Sequence, residues 1–197
     1  MTRRLLQLYA GLILYGVSLA LQIRAGLGLD PWDVFHQGVS DRTGLRFGTI
    51  VIITGALVLL AWVPLRQRPG IGTVSNVIVL GVVVDITLAL LGDVHGLGYQ
   101  LALLTAGVVL NAIAGAAYIG AGLGPGPRDG LMTGLVRRTG KPVGVIRTSI
   151  ELSVLAIGVA LGGTVGLGTV VYALSIGPLL QIFMPAFALK PPLPAPA

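Results

Sequence analysis

Three ionisable side chains fall inside long apolar runs of this chain: Asp85, Arg147 and Glu151. Hydrocarbon penalises charge so heavily that such residues mark ion or solute pathways, proton relays or buried pairs. Arg147 and Glu151 stand four apart, on one face of a helix, where they can pair with each other. That pairing leaves two readings, a self-neutralised pair that ties helices together, or one half of a proton or cation site completed by Asp85. Asp85 has no basic residue within its own run, so it needs a partner from another segment, water or a proton. Gly81 lies one turn before Asp85, and Gly158 shares a face with Glu151, so other helices can approach both closely.

A second group sits in two related segments. Residues 25–48 read AGLGLDPWDVFHQGVSDRTGLRFG and residues 121–144 read AGLGPGPRDGLMTGLVRRTGKPVG, with 11 of 24 positions identical at an offset of 96. The same offset pairs Gly70, Gly72, Thr73, Val74 and Gly81 with Gly166, Gly168, Thr169, Val170 and Gly177. One register held over nearly half the chain means two copies of one structural unit. Asp33 and Asp129 occupy the same place in both copies. They read either as helix-start residues or as paired groups lining a pathway. Arg128, opposite Trp32 in the repeat, can attract an anionic group. Asp85 and Glu151 match Gln181 and Gly55, so any ion site built from them is asymmetric even on a symmetric scaffold.

These residues must be held by elements that live in lipid. Of 197 residues, 54% are hydrophobic and only 10% are charged, far below the roughly 25% of a soluble domain, and the mean hydropathy is +0.92. Runs long enough to cross a bilayer occupy 5–23, 47–63, 71–91, 97–119, 143–161 and 167–189. Six spans, three per copy, divide the chain into a first membrane repeat (1–96), a second (97–189) and a proline-rich tail (190–197) expected to be disordered. The second run is the shortest, stopping at Pro64, with Trp62 placed as an interfacial aromatic.

The net charge of +6 is topological information rather than a nucleic-acid face, because no polar surface carries it. With a cytoplasmic N-terminus, that side receives Arg3, Arg4, Arg66, Arg68, Arg128, Arg137, Arg138, Lys141 and Lys190, with Arg147 just inside the fifth span. The other side receives Arg24, Arg42 and Arg46, balanced by Asp30, Asp33 and Asp41. An odd number of spans per copy then turns the second copy upside down, and both termini lie in the cytoplasm. The fold expected is all-α, two inverted three-helix repeats, each with a short amphipathic or re-entrant helix after its first span.

Each short helix has its punctuation. The backbone of Gly26 and Gly28, or Gly122 and Gly124, is too glycine-rich for helix; Pro31 and Pro127 sit at the first helical position, after Asp30 as a good N-cap in the first copy. Gly44 and Gly140 are natural terminators. Trp32, Phe35 and Val39 form one apolar face, and Leu131, Leu135 and Val136 the other. Two placements fit these helices: flat at the interface, or dipping part-way in with irregular backbone covered by protein or water.

Other chemistries find no footing. With no cysteine in the chain, disulfides and thiolate sites are excluded; His36 and His95 lack metal-ligand spacing; Gly122, Gly124 and Gly126 have no βαβ unit to serve a nucleotide. No cofactor, metal, nucleic acid or enzymatic triad is expected.

The duplicated AGLGxxPxD segment ending in RTG resembles the YczE-like family of bacterial integral membrane proteins, related to the YitT proteins. The resemblance implies a small multi-pass protein of the bacterial cytoplasmic membrane, and supplies neither substrate nor catalytic residues. From the inverted repeats, interrupted segments and buried charges, the activity expected is that of a transporter or facilitator for a small solute, proton- or cation-coupled through Asp85 and Glu151. The alternative is a non-transporting membrane partner or assembly factor, since small-residue surfaces such as Ala112, Ala116 and Gly120 suit packing within a homo-oligomer or against another protein equally well.

Overall fold

The computed structural model describes residues 1–189, and among them regular structure is entirely helical. The order is α1 (Thr2–Ala25), α2 (Pro31–Thr43), α3 (Phe47–Trp62), α4 (Ile71–Leu90), α5 (Leu97–Gly120), α6 (Pro127–Thr139), α7 (Val143–Ala160) and α8 (Leu167–Phe187). The tail expected to be disordered, 190–197, lies outside the described residues. Five helices, α1, α4, α5, α7 and α8, are long and apolar enough to cross a membrane. α3 has 16 residues and reaches that standard only together with α2, to which it is bent by 117°.

The centre is the pair α1 and α5, which run antiparallel. Gly11 lies against Tyr118 at one end, and Gly107 lies against Gln22 at the other, where a Cβ on either glycine would meet a neighbouring atom at 2.8 or 2.7 Å. Between them the buried Asn111 donates to the Ser18 hydroxyl at 2.9 Å, which satisfies polar groups that would otherwise be costly inside the bundle. α4 packs on α1 and α8 on α5. The short helices cross over: α2 packs mainly on α7 and α6 on α3.

The glycine-rich segments make this exchange possible. Leu27 accepts the backbone N–H of Gly168 at 2.7 Å, and Leu123 accepts that of Gly72 at 2.8 Å, so each segment clips onto the first turn of the last helix of the other half and satisfies a helix-start amide. Gly28 and Gly124 have φ of 108° and 130°, where only glycine sits at ease. A Cβ there would also strike the Gly166 amide or the Thr73 hydroxyl.

The caps follow from sequence. Asp30 accepts the N–H groups of Trp32 at 2.8 Å and Asp33 at 3.0 Å, Pro31 and Pro127 open their helices, and Gly44 and Gly140 close them in the left-handed region. Two side chains gain partners that local sequence does not show. Trp62 is 1% exposed, donates its indole N–H to Pro127 at 3.0 Å and packs its ring on Gly130. On α2, Asp33 and His36 are buried with Trp32, while Phe35 and Val39, on the apolar face, are half-buried. Crossing between α7 and the centre of the molecule covers a polar side of α2 that a lone surface helix would expose.

Candidate functional site

A cavity of ≈ 520 Å³ lies between the halves. Part of its polar lining comes in pairs 96 residues apart: Tyr15 and Asn111, Asn76 and Tyr172, Trp32 and Arg128. Tyr15 and Asn111 come from the middle of α1 and α5, so the first turns of α2 and α6 reach the mid-height of the bundle.

There the two motif copies meet. Arg128 stacks its guanidinium 4.9 Å from the centre of the Trp32 ring, a cation–π contact strengthened by partial burial. Two nitrogens of Arg128 lie 3.5 Å from Asp30 and 3.7 Å from Asp33. These are attractive distances, too long for hydrogen bonds, and among the described residues the Arg128 guanidinium makes none. The arginine side chain is 34% exposed and faces the cavity, with donors unspent. Asp30 and Asp33 are at most 3% exposed. Asp30 spends one oxygen on two backbone amides, and Asp33 contacts His36 Nδ1 at 3.0 Å. With its donors unspent and open cavity in front, the Arg128 guanidinium can hold an anionic group, for which the two buried carboxylates compete.

The other residues singled out from sequence are divided by the structure. Asp129, Arg147 and Glu151 line the same cavity nearer its mouth, with Arg147 Nε 3.3 Å from Glu151 Oε1. At 63% and 38% exposure this pair contributes little to stability, so its position on the cavity wall matters more than its strength. Asp85 is elsewhere. It lies in the α3–α4 seam, where its Oδ1 accepts the backbone N–H of Gly48 at 2.7 Å, capping the first turn of α3 from a neighbouring helix. Asp85 and Glu151 are not brought to one site. Gly26, Gly28, Pro31, Gly122, Gly124 and Pro127 form the backbone that carries α2 and α6 inward.

From sequence, Asp30 reads as a cap only, His36 as a non-ligand, and Tyr15, Trp32, Asn111 and Tyr172 carry no pathway role. A signal for them existed: Tyr15 and Asn111, and Asn76 and Tyr172, are polar residues at matched positions of otherwise apolar helices.

The family model described as "Family of unknown function (DUF6198)" matches residues 2–185. A Haemophilus influenzae protein described as uncharacterized is 38% identical over 183 residues, 93% of this chain and 84% of the relative. The Bacillus subtilis "Uncharacterized membrane protein YczE" is 36% identical over 180 residues, 90% of this chain and 83% of its own length. A second Bacillus subtilis protein, "Uncharacterized protein YyaS", is 25% identical over 179 residues, 89% of each chain. No solved structure matches.

Proposed function

Taking as premise that the chain belongs to the DUF6198 family and is a membrane protein, as its relative YczE is described, we propose that it is a transporter or facilitator for a small solute bearing an anionic group. One observation carries this reading: Arg128, with unspent donors, stands over Trp32 and beside the buried Asp30 and Asp33 in a cavity between the two halves. Transporters built from repeats place their sites at mid-membrane between the repeats, on interrupted helices. The exchange pattern supports an inverted arrangement here. Leu27 with Gly168 repeats as Leu123 with Gly72, and Gly11 with Tyr118 repeats as Gly107 with Gln22, as a two-fold axis between antiparallel halves requires.

In this reading α2 and α6 dip from opposite faces, their irregular leaders covered by protein as backbone within a bilayer must be. Both termini lie on the cytoplasmic side of the bacterial inner membrane, where the basic loops fall. Arg128 holds the anionic group, Asp30 and Asp33 compete for it, and protonation of Asp30 couples solute binding to proton uptake. Asp129, Arg147 and Glu151 screen the entrance, and no catalytic step is involved.

The test is uptake of radiolabelled carboxylates, phosphate and zwitterionic amino acids into proteoliposomes of the purified protein, with and without an inward proton gradient. Concentrative uptake abolished by Arg128→Gln supports the reading; no uptake of any probe in either condition overturns it. The second reading, a partner for another membrane protein, draws on the exposed apolar residues of α7 and α8, among them Leu152, Ile157, Leu174 and Ile182. It gains if a stoichiometric foreign subunit co-purifies and the protein alone moves no solute.

A further inference from the structure

The main helix pairings of one half recur in the other, with one exception. α3 packs on α4, and the tightest point of that seam is Gly48 against Gly81: a Cβ on either would run into the backbone of the other. Asp85 finishes the seam, its carboxyl 2.7 Å from where a Gly48 Cβ would stand and its oxygen on the Gly48 amide. Adding 96 gives Gly144, Gly177 and Gln181, so the second half keeps both glycines and a side-chain acceptor at the same three positions. Yet α7 is not packed on α8. A Cβ on Gly144 or Gly177 would meet nothing within 4 Å, and Gln181 is exposed. Instead α7 and α8 stand apart as two walls of the cavity, Glu151 on one and Gly177 on the other.

Glycine in a helix interior costs stability relative to alanine, and at Gly81 in α4 that cost is offset by the close approach of Gly48. At Gly177 in α8 the cost is present without the contact. We propose that the α7–α8 gap is a gate, which closes in a second conformation by docking Gly144 on Gly177 and giving the Gly144 amide to the Gln181 carbonyl, while the Gly48–Gly81 seam parts. The inference rests on the transport reading only for its purpose, not for its geometry. Pro178, directly after Gly177 inside α8, supplies the bending point. It has no N–H to give, so one rung of the helix is missing where α8 must lean toward α7. The α7 side of the gap starts directly after the basic segment that holds Arg137, Arg138 and Lys141. With basic loops cytoplasmic, the structure is therefore inward-open, and the proposed state is its outward-open counterpart.

The absence of native cysteines makes the test direct. Gly144→Cys with Gln181→Cys, in native membranes under mild oxidation, is expected to form a disulfide at high yield. Adding Gly177→Leu, whose side chain enters open space in the present state, is expected to leave the melting temperature unchanged and to cut that yield at least tenfold. Absence of the disulfide, with both cysteines shown accessible to a maleimide, overturns the gate. So does a yield unaffected by Gly177→Leu. The cross-link needs no solute, so a chain that cross-links as expected but takes up no probe sinks the transport reading and leaves the gate standing.

Discussion

Arg128 and Trp32 occupy the same position of the two motif copies, 96 residues apart, and in the folded chain one stacks on the other at 4.9 Å. A repeat that placed a neutral aromatic in one copy and a cation in the other has put both on the wall of a single cavity. The consequence is a planar cation held in one orientation, with two buried carboxylates beside it and open cavity in front.

Arg128→Lys is expected to behave as a loss-of-function change despite keeping the charge, because an ammonium neither stacks nor presents a fork of donors. Solute uptake should fall by about tenfold or more, the equivalent of losing one interaction of about 1.4 kcal/mol. Trp32→Phe, which keeps an aromatic face, should fall by less. Initial uptake rates in proteoliposomes, compared at matched protein incorporation, decide this.

Asp85→Asn is expected to preserve uptake, since an amide oxygen can still accept the Gly48 N–H. Asp85→Ala removes the acceptor and should lower stability by about 1–2 kcal/mol, the cost of a lost helix cap. A thermal shift of the detergent-solubilised variants measures it. Abolition of uptake by the asparagine variant would return Asp85 to the ion pathway.

The leader glycines should separate into two classes. Gly122 has φ of 64° and room for a side chain, whereas Gly124 has φ of 130° and abuts the Thr73 hydroxyl. Gly122→Asn should be nearly neutral, as asparagine tolerates the left-handed region, while Gly124→Ala should cost about 1–3 kcal/mol from overpacking together with backbone strain. Melting temperatures of the two proteins, purified in parallel, make the comparison.

Opposed orientation has its own check. Asp41 and Arg137 are equivalent, exposed positions of the two copies. Single cysteines there should react with a membrane-impermeant maleimide from opposite faces of the cell membrane; labelling of both from one face would contradict the inversion.

Much of this protein was decided along the line of the chain. Apolar run lengths, the 96-residue repeat, Asp30–Pro31 and Gly44 at the ends of α2, and Pro127 with Gly140 at the ends of α6 are local patterns. A helix forms and ends according to residues within a turn or two of itself, so those boundaries could be read directly. What tertiary structure alone decided was which half each motif serves. The exchange of Leu27 to Gly168 and Leu123 to Gly72, the burial of Trp62 against Gly130, the capture of Gly48 by Asp85 and the meeting of Trp32 with Arg128 all join segments far apart in sequence. Their apolar and glycine surfaces are compatible with many partners. Only close packing, where a backbone fits or a Cβ collides, chooses among them.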